Sequence, residues 1–190
     1  QAGQNSQSAD AVAIGYQAGA DAQSADAVAI GNTAGNHDQG QHAIAIGLTA
    51  GQTNQGDDSI AIGNEAGSDT QGTLSVAIGR QAGNCQQSVQ AVAIGYQAGK
   101  ENQEQAAVAI GYQAGEQAQK QRAVAIGWSA GQTAQYQLSV AIGQSAGALD
   151  QGTTTLGASG SAIAIGNLCS TAQQGANSIA IGYEAGEPMA

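Results

Sequence analysis

The chain has 190 residues with no Phe, one Trp, one Pro and 9% charged residues; four basic and fourteen acidic side chains leave a net charge of −10. Cations this few exclude a nucleic-acid backbone or an anionic membrane surface as partner, since both are gripped by clustered Lys and Arg. No apolar run approaches the roughly 20 residues of a membrane span, no basic, apolar-cored leader opens the chain, and its glycines do not fall at every third position as collagen requires.

Gln1-Ala2-Gly3 is the tail of a unit, in phase with Gln17-Ala18-Gly19. The first complete unit follows, reading Ala11-Val12-Ala13-Ile14-Gly15-Tyr16-Gln17-Ala18-Gly19. Its isoleucine recurs every 16 residues at Ile14, Ile30, Ile46, Ile62, Ile78, Ile94, Ile110, Ile126 and Ile142, then slips by seven and resumes at Ile165 and Ile181. A strict short period means one small unit stacked on copies of itself. Sixteen residues are too few for a useful strand-helix unit but enough for two short strands and two turns. The expected fold is therefore all-β, a parallel β-roll or β-solenoid forming a single body over 1–190. Because the chain opens and closes partway through the repeat, it is expected to be a segment of something longer.

Within each unit, Val12 and Ile14 favour a strand and share one face, while Ala11 and Ala13 share the other. Gly15 and Gly19 suit tight corners. The branched face is expected to fill the inside of the coil. The opposite face holds an unbroken column: Ala13, Ala29, Ala45, Ala61, Ala77, Ala93, Ala109, Ala125, Ala141, Ala164 and Ala180. Small residues kept so strictly imply close packing, and a strand apolar on both faces is buried on both. These alanines are therefore expected to meet another copy of the chain in a homo-oligomer.

A second unbroken column is Gln7, Gln23, Gln39, Gln55, Gln71, Gln87, Gln103, Gln119, Gln135, Gln151 and Gln174. An amide both donates and accepts, so these side chains are expected to form a ladder along the rod. The seven-residue insertion lies near 152–160, and the next unit replaces its Ala-Gly corner with Cys169-Ser170. Cys85 and Cys169 stand five coils apart, roughly 24 Å at about 4.8 Å per strand, too far for a disulfide.

Nothing in the sequence makes a catalytic constellation, and no cofactor is implied. His37 and His42 share a coil near Asp26, Asp38 and Asp58, short of the converging ligands a metal site needs. The glycines precede no helix and form no phosphate loop. The column beginning at Gln17 is too mixed for the Thr ladder of an ice-binding rod. One column merits attention as a ligand site: Tyr96, Tyr112 and Trp128 fall on three successive coils, with Arg80 one coil before. Such an aromatic strip can take sugars, apolar patches or cations.

The string Asn177-Ser178-Ile179-Ala180-Ile181-Gly182, with near copies Leu74-Ser75-Val76-Ala77-Ile78-Gly79 and Leu138-Ser139-Val140-Ala141-Ile142-Gly143, resembles the head repeat of trimeric autotransporter adhesins, the YadA-like head. The resemblance implies a left-handed β-roll, three chains side by side, and an extracellular, cell-surface adhesin that binds host surface, matrix or glycan receptors. Related repeats occur in phage and large-virus fibres, so a virion fibre or a self-assembled filament is the alternative. The family's repeat is nearer fourteen residues, and its neck, stalk and membrane anchor have no counterpart in this stretch.

Overall fold

A computed structural model describes residues 1–152 and 160–187. The body of the insertion lies outside the described residues. Eleven three-residue strands, from Val12–Ile14 to Ile179–Ile181, form one parallel sheet with one strand per repeat. Each pairs with its neighbour in identical phase, as in Val12↔Val28, Ala13↔Ala29 and Ile14↔Ile30. A second parallel sheet holds seven strands, from Asn5–Gln7 to Glu101–Gln103. Its pairing continues as single bridges, Glu101↔Gln117, Gln117↔Thr133 and Thr133↔Leu149. The result is an all-β parallel solenoid of about eleven coils of about sixteen residues, with no helix among the described residues.

The interior reverses one expectation. From Ala29 to Ala164 the alanine column is wholly buried within a single chain; the turn alanines from Ala18 to Ala130 close the core it forms as far as Ala141, and Ala146 and Cys169 close a second cluster around Ala164. Val and Ile point outward. Along the inner coils they are half-buried, and at the ends they are open, with Ile14 58% and Ile181 65% exposed. Ala13, Ala29, Ala45, Ala61, Ala77, Ala93, Ala109, Ala125, Ala141, Ala164 and Ala180 therefore line the inside of the coil and do not face a second chain. The physical reason is room: sixteen residues wound into two strands and two corners leave a lumen that one buried Gln per inner coil and the alanine methyls fill, with no space left for a sec-butyl.

Left-handed backbone sets that width. Three columns take positive φ without glycine, beginning at Ser6 (58°), Asp10 (55°) and Gln17 (50°). The first lies in the middle of the second sheet's strand, which is why those strands pair only through their first and third residues, as in Asp21↔His37 and Gln23↔Gln39. Glycine is obligatory where coils touch: at Gly95 (φ 127°) a Cβ would lie 2.4 Å from the Gly111 carbonyl oxygen.

Polar satisfaction inside the lumen falls to the glutamines, which are buried from Gln23 to Gln174. Gln103 is representative. Its Nε2 donates to the Val92 carbonyl (2.8 Å), the Ala107 carbonyl (3.2 Å) and Gln119 Oε1 (3.1 Å). The side chain thus ties together the preceding coil, its own corner and the following coil. Amide-to-amide links run from Gln39 to Gln71 and from Gln87 to Gln174. The expected ladder exists, but it is an internal spine and most of its bonds go to backbone.

The winding also survives the insertion. Val140↔Ile163 keeps register across it, and Gln151 Nε2 reaches Gln174 Oε1 at 3.2 Å. In the next coil Cys169 is fully buried at the alanine position, and Ser170 (φ 47°) adopts the left-handed turn that glycine takes elsewhere.

Two substitutions test this construction. Ala109→Leu should overfill the lumen and destabilise the chain by about 1–3 kcal/mol or more, read as a lower denaturant midpoint. Leu138→Asn should stabilise the chain by about 1 kcal/mol and so raise the midpoint, because Leu138 is exposed at φ 62°, where Asn carries less penalty than Leu.

Candidate functional site

With its interior closed by methyls and amides, each coil presents its functional chemistry on outer ladders. The broadest is apolar. Two side chains per strand, in the phases of Val12 and Ile14, make two parallel rows of β-branched residues along the whole eleven-stranded sheet. Isolated exposed apolar side chains are ordinary; a contiguous strip of this length is a candidate interaction surface.

The aromatic column lies two residues beyond the isoleucine row. The structure brings its members together: Tyr96 and Tyr112 stack with centroids 5.0 Å apart and planes 13° from parallel. Tyr112 and Trp128 follow at 4.6 Å and 31°. The Arg80 guanidinium caps the stack, 5.7 Å from the Tyr96 centroid. The rings thus cover one another's faces and offer mainly edges to solvent, except at Trp128, which is 58% exposed. A surface amide ladder runs beside them: Gln81 Nε2 donates to Glu65 (2.7 Å), Gln97 to Gln81 (2.8 Å) and Gln113 to Gln97 (3.1 Å).

The histidines meet aspartates of adjacent coils. His37 Nδ1 lies 3.0 Å from Asp21, while His42 stands between Asp58 (2.9 Å) and Asp26 (3.8 Å). All are about half exposed. Among the described residues, no group of three or more His, Cys, Asp or Glu is placed to hold a metal ion.

Both cysteines are free. Cys85 sits on the outer face of the second sheet, in register with Asp69 and Glu101, and its Sγ donates to Asn84 Oδ1 at 3.0 Å. Partial burial pushes its thiol above the ordinary range; the Asp69 and Glu101 carboxylates add to the shift and Lys100 opposes it. Cys169 is sealed, with its Sγ against the Ala180 and Ala185 carbonyls.

The structure defines the class of protein as a β-solenoid repeat rod that displays ladders of side chains. Comparison with known families then supplies the repeat: the YadA head domain repeat is found in two copies, at residues 55–68 and 170–185. The first spans Ser59-Ile60-Ala61-Ile62-Gly63 and the second Asn177 to Gly182. No curated protein and no solved structure matches the chain.

Sequence reasoning put Tyr96, Tyr112 and Trp128 in one column, and the structure stacks them; it missed the branched ladders as an outer surface. It also passed over the run Glu104, Lys120 and Tyr136. Its signal was available: these three interrupt a column that otherwise holds only Ser and Gly.

Thiol chemistry checks the local electrostatics. At neutral pH, Cys85 should react with iodoacetamide more slowly than free cysteine, because a raised pKa leaves less thiolate. Asp69→Asn with Glu101→Gln should speed it. Cys169 should react only on unfolding. Rapid labelling of Cys85 in the folded wild type would contradict the assignment.

Proposed function

We propose that this chain is a segment of a non-enzymatic extracellular fibre or adhesin head, in which copies pack side by side through the Val and Ile ladders. The observation that carries it is the uncovered branched face of an otherwise closed coil. Parallel sheets occur almost only with both faces covered, and here the inner face is complete within one chain. At about 1 kcal/mol for finishing the burial of each half-covered side chain, two per strand over eleven strands make a total on the order of 20 kcal/mol. That exceeds the roughly 4–15 kcal/mol cost of association. Matching repeats in each copy keep the ladders in phase along the whole length.

A homotrimer is the arrangement that the YadA-like repeat favours, with three branched faces turned to a common axis. The polar outer face of the second sheet then meets solvent, and the scattered acidic groups keep the bundle soluble. Attachment to a host surface, matrix or glycan receptor is the use that such a stiff, laterally reinforced rod serves. The Tyr96, Tyr112 and Trp128 stack, at the margin of the bundled face, belongs to that attachment surface.

Sedimentation equilibrium tests the bundle. The wild type should sediment at three times the 18.6 kDa of one chain. Ile94→Asp with Ile110→Asp, which buries like charges opposite one another in the proposed interface, should sediment as a single chain of lower thermal stability. A wild type that runs as one chain at micromolar concentration removes the bundle.

A further inference from the structure

The column beginning at Ser8 occupies the corner that leads out of the second sheet. It holds Ser8, Ser24, Gly40, Gly56, Gly72 and Ser88, and it returns to Gly152 and Gly175. Three successive coils break the pattern with Glu104, Lys120 and Tyr136. The backbone there is unchanged: the amides of Ser88, Glu104, Lys120 and Tyr136 each donate to the carbonyl of the buried Gln one coil on, at 2.9 Å. The fold therefore does not require these side chains. Along a column that otherwise holds only Ser and Gly, a confined change to large, chemically varied residues points to a task.

The three side chains raise a wall beside two adjoining hollows of about 310 Å³ each. The first is lined by Gln86, Ser88 and Asn102 along with Glu104 and Lys120. The second runs on past Gln121 to Tyr136 and Gln137. The two share Glu104 and Lys120, so they form one trough across about four coils.

We propose that this trough docks a neutral oligosaccharide. Its charges cancel: Lys120 Nζ donates to Glu104 Oε1 at 2.8 Å, leaving no unpaired cation among its lining residues for an acidic glycan. Four exposed side-chain amides, those of Gln86, Asn102, Gln121 and Gln137, offer paired donors and acceptors, the complement of a sugar's hydroxyls. Tyr136 supplies a ring whose body is apolar and whose tip is polar, as the two sides of a pyranose require. An apolar ligand would leave these amides unsatisfied, at about 1–3 kcal/mol each. A strand-like peptide would need an open sheet edge, whereas here the edges are consumed by the next coil. The coil step of about 4.8 Å is close to the length of one sugar residue, so ladder and polymer advance together.

The proposal deepens the attachment reading by naming a receptor class. The trough is complete within one chain, so it is tested apart from the bundle. Saturation-transfer NMR and calorimetry on the full chain would use cellohexaose, maltohexaose and chitohexaose, with hexagalacturonate as the acidic control. At least one neutral hexasaccharide should bind. Tyr136→Ser should weaken it about tenfold or more, and Glu104→Ser with Lys120→Ser should weaken it as well. Serine already occupies this phase at Ser8, Ser24 and Ser88, so unchanged circular dichroism is expected in each variant. Absence of binding by all three neutral sugars overturns the proposal, as does preference for hexagalacturonate or indifference to Tyr136→Ser. A trimeric mass with no sugar bound would remove the trough and spare the bundle, and a single-chain mass with sugar bound would do the reverse.

Discussion

The narrowness of the coil governs the rest of the structure. Two strands of three residues, joined by corners in left-handed backbone, bring the walls so close that one glutamine per inner coil and alanine methyls fill the space between them. Ala93 and Ala109 are wholly buried in a single chain. A lumen of methyl groups contributes little burial per residue, since apolar stabilisation scales with area. Cohesion must therefore come from directional bonds between coils. The sheet ladders and the corner amides provide one set, as in Gly95 N to Ile78 O at 2.8 Å. The glutamine spine provides the other: each Gln from Gln23 to Gln174 is buried and donates to backbone carbonyls, so its loss would strip them of a partner.

From that constraint follows the placement of the bulky residues. If alanine must be inside, strict alternation along Val92–Ile94 puts the branched side chains outside. They cannot be ordinary surface, because a half-buried valine or isoleucine on a flat parallel sheet is an incomplete core. The fold thus separates two jobs that most domains combine. Winding is specified by small residues and amides within one chain, while the branched side chains are left half-buried on the outer face, the face that the proposed bundle would cover. Such a rod gains stability in proportion to its length, because every added coil extends both the spine and the lateral ladders.

Much of this was legible in the sequence, and the error is instructive. The 16-residue recurrence of isoleucine yielded the solenoid, the parallel register and the coil number, since all three depend only on period. The Gln7 to Gln174 column announced an amide ladder because no other reason keeps one amide at one phase. Alternation likewise showed that Ala13 and Ile14 face opposite ways. It could not show which way is in. That choice depends on coil width, and the width depends on left-handed turns at Asp10, Gln17 and their repeats, which here carry Asp, Gln, Thr, Leu and Arg where glycine would have advertised the turn. The usual expectation that larger apolar residues lie deeper fails when the interior is too thin to hold them.

The same logic separates fold from function along the chain. Columns that never vary, such as Ala13 and Gln23, are those whose side chains meet backbone or one another inside the coil. Columns free to vary are exposed, and they carry varied side chains along the chain, His42, Leu74 and Arg122 among them. Two runs of large residues on successive coils stand out: Arg80, Tyr96, Tyr112 and Trp128 on one corner, and Glu104, Lys120 and Tyr136 on another. These two runs overlap along the axis, so the same few coils are decorated on two corners while the spine passes through them unaltered, from Gln87 to Gln135. A scaffold whose stability resides in invariant interior columns can change its outer residues freely, because no outer side chain is needed to hold the winding. Recognition in such a rod is therefore to be sought where the repeat is broken on the outside and kept on the inside.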